Sequence, residues 1–186
     1  MARAEAFKVA WLGAAGLAAV AAGLIAAPGV PGLAGAALAL LMLAIAVIDW
    51  RLLIIPDELT ALALALGLAA VSYERWNEMP SPALEATTRC GAMAAIFFLF
   101  RLGYQRLRGR QGMGLGDVKL AGVAGVWLDW TSLPIAVEIA ALSALAFILA
   151  QRFRGAQLVD QFSKLPFGAF LAPAIWICWL LARLQR

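Results

Sequence analysis

The chain has 186 residues, 64% of them apolar and only 14% charged, with a formal net charge of +4. Soluble domains average roughly 45–50% apolar and about 25% charged, so a water-soluble globule and a disordered chain are both excluded, and an all-α, polytopic membrane helix bundle is expected. There is no histidine, and neither of the two cysteines, Cys90 and Cys178, has a CxxC partner, which excludes histidine-based catalysis, a zinc ribbon and a disulfide scaffold.

In chain order, Phe7–Ala27 is an apolar run stopped by Pro28-Gly29, and Gly32–Ile48 follows and ends at Asp49. Leu59–Tyr73 and Cys90–Leu102 come next, then the shorter, Gly- and Ala-rich Asp117–Leu128. Leu133–Ala150 and Leu165–Ala182 complete the set. Asp129, Thr131, Ser132 and Pro134 interrupt the stretch from Asp117 to Ala150, so two helices are expected there and about seven transmembrane helices in all; an unbroken reading leaves six. The chain reads as one integral membrane domain over 1–186, with an extra N-terminal helix at 7–27 and a catalytic core at 32–186. The first run has a basic start but is longer than a secretory signal core, so it is expected to be retained. Gly13, Gly16, Gly23, Gly122 and Gly125 are expected to let helix backbones approach closely. Trp76, Trp127 and Trp130 fit an outer aromatic belt and Trp50 an inner one.

Charge sets the orientation. With the N-terminus in the cytoplasm, alternation puts Arg3, Lys8, Arg51, Arg101, Arg106, Arg108, Arg110, Lys119, Arg152, Arg154 and Lys164 inside. Arg75, Arg89, Arg183 and Arg186 fall outside. The positive-inside rule therefore predicts a multi-pass inner-membrane protein with a cytoplasmic N-terminus, and explains the net charge without nucleic acid. Arg106, Arg108 and Arg110 read as a basic loop facing anionic lipid.

Two carboxylates stand at helix boundaries inside this apolar background. Asp49 closes the second run and Asp117 opens the fifth, and the charge-based topology puts both at the cytoplasmic ends of their helices. Ionisable groups at membrane depth are costly and mark functional sites. Two carboxyl groups within a few ångströms cannot both ionise easily, so one keeps a proton. Such a pair is suited to aspartic proteolysis: one carboxylate draws a proton from water and the other polarises the scissile carbonyl. Gly112, Gly114 and Gly116, just ahead of Asp117, let backbone approach a peptide without Cβ clashes.

The segment from Asp49 through Ile55-Pro56-Asp57-Glu58-Leu59-Thr60 resembles the first signature of type IV prepilin peptidases, an aspartate six residues ahead of IPDxLT. Gly112-Met113-Gly114-Leu115-Gly116-Asp117-Val118-Lys119-Leu120 resembles the second, GMGxGDxKL, about 68 residues after the first. Leu165-Pro166-Phe167-Gly168-Ala169-Phe170-Leu171-Ala172 is similar to the family's late PFGPFLA segment, with Ala169 in place of its second proline. The resemblance implies a GxGD-type aspartyl endopeptidase with Asp49 and Asp117 as its catalytic pair. Its substrates are prepilins or pseudopilins of type IV pilus or protein-secretion systems, cut after a short basic leader at the cytoplasmic face. Bifunctional relatives carry a cytoplasmic CxxC domain and also methylate the product; with no CxxC here, a short, cleavage-only form is expected.

Around the pair, Asp57, Lys119, Gly114, Gly116 and Pro56 are expected to support it or position substrate. Asp57 and Glu58 also suit the positive end of the third helix. Glu138, inside the sixth run, has no assigned role. No metal constellation and no cofactor is expected. The partners implied are prepilin or pseudopilin substrates and membrane lipids; oligomeric state is not specified. Two alternatives stand beside this reading. One is intramembrane cleavage of the presenilin and signal peptide peptidase kind, which usually shows a YD element where this chain has Ile48-Asp49. The other is a small proton-coupled transporter using the carboxylates as a relay.

Overall fold

The computed structural model describes residues 2–76, 81–109, 112–153 and 165–185, with side chains from Trp11 onward. Arg110, Arg154, Lys164, Arg186 and the side chains of Arg3 and Lys8 lie outside the described residues. All regular structure described is helical: α1 (Ala2–Ala26), α2 (Val30–Leu52), α3 (Asp57–Glu74), α4 (Pro82–Arg108), α5 (Leu115–Trp127), α6 (Ser132–Phe153) and α7 (Gly168–Leu184). Three of them, α2, α4 and α6, are each long and apolar enough to cross a membrane. The apolar part of α1, Trp11–Ala26, and α7 are shorter apolar helices.

The boundaries differ from the apolar runs where polar groups find local partners. α2 continues one turn past Asp49, so that aspartate lies within the helix; the helix closes at Leu53, whose left-handed backbone (φ 57°) points its N–H at the Asp49 carbonyl. α4 begins eight residues before the apolar run, at Pro82, where a missing N–H costs nothing. The hydroxyls of Thr87 and Thr88 then donate back to carbonyls one turn earlier. It also extends past the run, so Arg106 and Arg108 sit in its last turn rather than in a loop, where cations favour the negative end of the helix dipole. Gly109, at φ 66°, ends it. α7 starts three residues late because Pro166 disfavours a helical Leu165. The break between α5 and α6 is made by Asp129, whose Oδ1 accepts the Ser132 N–H at 2.8 Å and the Thr131 hydroxyl at 3.0 Å.

α5 is the axis. It packs on α3, α4 and α7, and nearly every residue from Asp117 to Trp127 is buried. α2 packs on α1, α3 and α7, and α6 leans on α7. The close approaches are made by glycine. A Cβ at Gly125 would sit 2.5 Å from the Arg89 carbonyl oxygen, and one at Gly35 would overlap the Trp179 ring. Trp127 is not a belt residue: it is buried, covers Gly67, and donates its indole N–H to the Ala63 carbonyl at 2.9 Å. Trp76 and Trp130 are exposed. Trp50 is half exposed and stands edge-on to Phe147 and Phe170, joining α2 to α6 and α7.

Charged side chains divide between the two ends of the bundle. At the end where α3 and α7 finish, Arg183 grips Glu74 through both carboxylate oxygens, at 2.6 and 2.7 Å, and lies over the Trp179 ring. Close by in the chain, Glu85 pairs with Arg75 at 3.3 Å and approaches the buried Arg89 at 3.8 Å. The opposite end, where α2 finishes and α3, α5 and α7 begin, holds both aspartates.

Candidate active site

Three segments converge at that end: the α2 terminus with the following Leu53–Pro56 loop, the Gly112–Asp117 turn into α5, and Leu165–Ala169 leading into α7. Ile55 is buried at their junction. A Cβ at Gly116 would meet Ile55 Cβ at 2.8 Å, and one at Gly168 would meet Ile55 Cδ1 at 2.5 Å. Only glycine lets all three backbones close on this one side chain.

Asp49 is 5% exposed and Asp117 9%. Both line a single cavity of about 290 Å³, together with Leu53, Gly112, Met113, Gly114, Leu165, Pro166 and Phe167. Each carboxylate is held by backbone. Asp49 Oδ2 accepts the Ala169 N–H at 2.8 Å, from the first turn of α7. That amide is shared with the Pro166 carbonyl at 3.2 Å, and the dipole at a helix start favours an anion. Asp117 is the third residue of α5, and its Oδ2 reaches back to the Gly114 N–H at 3.0 Å, closing the turn ahead of the helix. Each aspartate thus has one oxygen fixed by the main chain.

Of the residues expected around the pair, Gly114 lines the cavity and Gly116 shapes it through Ile55. Pro56 precedes α3 in extended conformation and accepts a bond from Thr60. Asp57 and Lys119 meet each other at 2.6 Å, tying α3 to α5, but both are exposed and neither lines the cavity. Glu58 and Glu138 are exposed.

Three participants were hidden in the sequence. Arg101, read there as one topology charge among many, reaches from α4 to donate to the Met113 carbonyl at 3.0 Å, anchoring the turn that carries Gly114. Beside it, the Tyr104 ring covers Gly112 so closely that a Cβ there would lie 2.5 Å from it. Ala169, noted in the sequence only for standing in place of the family's second proline, supplies through its N–H the bond to Asp49. A proline at that position would have no N–H to give.

Residues 36–149 match the type IV leader peptidase family. Curated relatives include the prepilin leader peptidase/N-methyltransferase of Pectobacterium carotovorum, 35% identical over 84% of this chain and 54% of the relative. Those of Burkholderia pseudomallei and Aeromonas hydrophila are 36% and 33% identical, over 70% and 88% of this chain and 40% and 54% of theirs. The chain spans about half the length of the curated relatives it matches. No solved structure matches it significantly.

Proposed function

The chain belongs to the type IV leader peptidase family, and from that premise we propose that it is a membrane aspartyl endopeptidase that removes the short basic leader of type IV prepilins or pseudopilins. The observation that carries the proposal is the shared cavity: Asp49 and Asp117, 68 residues apart in the chain, line the same 290 Å³ space. In the proposed reaction one carboxylate of the pair is ionised and the other protonated. The ionised group takes a proton from water as the hydroxyl oxygen bonds to the scissile carbonyl carbon, and the protonated group gives its proton to the carbonyl oxygen. Collapse of the tetrahedral diol returns a proton to the pair and breaks the C–N bond, with a proton delivered to the leaving nitrogen. The Ala169 and Gly114 amides each hold one oxygen of their aspartate, and the Gly168 amide faces both carboxyls.

The proposed setting is the inner membrane, with the pair at the cytoplasmic end of the bundle. Support comes from Arg51, Arg101, Arg106, Arg108 and Lys119, which all belong to the aspartate end of their helices. Asp57, Lys119, Pro56, Gly114 and Gly116 are proposed as supports of the site rather than reacting groups. Methyl transfer, which the relatives' names also carry, is not part of the activity proposed.

The test is cleavage of a co-expressed, tagged prepilin, followed by gel shift and N-terminal sequencing of the product. Wild type should yield one new N-terminus at the leader junction, while Asp49→Asn and Asp117→Asn, equally abundant in the membrane, yield none. A wild type that leaves several prepilins uncut, or an Asn variant that still cleaves at the wild-type rate, overturns the proposal.

A further inference from the structure

Ile96, Leu99, Phe100, Gly103, Tyr104 and Leu107 recur along α4 at spacings of three and four, so they form one stripe on the helix. With Gly112 and Met113 they line a groove of about 790 Å³ that is almost wholly apolar. Leu99, Phe100 and Leu107 are 66%, 68% and 86% exposed, so none of the three is spent on the core of the bundle. The groove adjoins the candidate active site: Gly112 and Met113 belong to the walls of both. At the centre of the stripe Gly103 leaves a notch, since a Cβ built there meets nothing within 4 Å.

We propose that this groove seats the apolar helix of the substrate, the segment adjoining the scissile bond; the inference rests on the peptidase reading above. A peptide whose bond lies between Asp49 and Asp117 has to leave the cavity, and the groove on α4 lies directly across the shared Gly112–Met113 wall. At membrane depth a peptide must satisfy its own N–H and C=O groups, so an apolar segment leaving by that route is helical. From Ile96 to Leu107 the stripe rises about 16 Å, which matches about three turns of a docked helix. The Gly103 notch permits the close backbone approach by which helices associate in lipid.

Gly103→Leu tests this directly. The Cβ of the new side chain meets no other atom within 4 Å, and leucine is a better helix former than glycine. Gly91→Leu is the matched control: Gly91 is on the same helix, is equally open, and lies off the groove. With purified enzyme in lipid nanodiscs and a prepilin substrate, Gly103→Leu should raise KM by about tenfold or more while Gly91→Leu behaves as wild type. The defect should shrink as the substrate's apolar segment is cut back to a single turn. A photo-crosslinking residue in place of Phe100 should capture that apolar segment.

If wild type and Gly103→Leu cleave with the same KM and the crosslinker captures lipid alone, the groove holds acyl chains and the inference is wrong, with the peptidase reading intact. If wild type cleaves no prepilin at all, the peptidase reading fails and the inference falls with it.

Discussion

Asp49 and Asp117 owe their placement to main-chain donors, and the donors can be removed singly. Asp117→Asn keeps the size of the side chain but abolishes a carboxyl of the pair, so leader cleavage should fall by about 10²–10⁴-fold, as for loss of a general acid or base. Asp49→Asn should do the same, both read by gel shift at matched membrane levels. Ala169→Pro is the subtler probe. Proline suits the first turn of α7, so the helix should form, but the 2.8 Å bond to Asp49 is lost. The variant is expected to insert and fold normally while kcat drops several-fold with KM little changed, since the loss falls on the reacting group rather than on substrate contacts. Gly168→Ala should be worse than its size implies, because the added methyl would lie 2.9 Å from Asp49 Oδ2 and 2.5 Å from Ile55. At this scale the sequence was legible for the aspartates, since carboxylates in apolar surroundings stand out. It was silent on Ala169, whose contribution is an amide that every residue but proline carries.

Elements position these groups, and α4 does so from outside the aspartate-bearing segments. The Arg101 guanidinium holds the Met113 carbonyl at 3.0 Å, one residue before the amide that binds Asp117. Arg101→Gln should therefore loosen the turn and lower kcat by about tenfold, roughly the effect of a lost charge-assisted hydrogen bond. Arg101→Lys should restore part of that rate, because a cation still reaches toward the carbonyl; an unchanged kcat in Arg101→Gln, with normal KM and normal thermal stability, would show that the bond does not matter. By contrast, the Lys119–Asp57 pair is exposed on both sides and off the cavity, so Lys119→Gln should reduce activity by no more than a few-fold. Hydropathy located all seven described helices but not their true ends. The Thr87–Thr88 start of α4 is polar but bonded to its own backbone, and its finish carries Arg106 and Arg108, which suit the negative end of the helix dipole; a hydropathy window counts both as loop.

For the molecule as a whole, the two ends of the bundle serve different ends. Among the described residues, the end away from the aspartates is fastened by the bidentate Arg183–Glu74 pair, both side chains less than a fifth exposed, and by the Glu85 pairs with Arg75 and Arg89. The aspartate end is instead held by glycine contacts, backbone amides, one arginine and the exposed Lys119–Asp57 pair, leaving its cavity open. Such a division fits a bundle that is rigid at one end so that loops at the other can meet accurately. It was partly legible: alternation of charge set Arg75, Arg89, Arg183 and Arg186 apart from the other cations, but which acid each of the first three would meet depends on helix packing. Trp127 shows the same limit, since its position in the chain matches a belt tryptophan while its ring lies over Gly67 in the core. The prediction at this scale separates stability from catalysis. Arg183→Met strands Glu74 in a largely buried setting and should lower unfolding stability by about 3 kcal/mol, whereas adding Glu74→Gln should recover much of it. Thermal unfolding in nanodiscs reads the first quantity and leader cleavage below the transition reads the second, which should stay within about twofold of wild type in both variants. A large fall in cleavage at full stability would mean that the far end of the bundle communicates with the aspartates, and that the rigid-end account is incorrect.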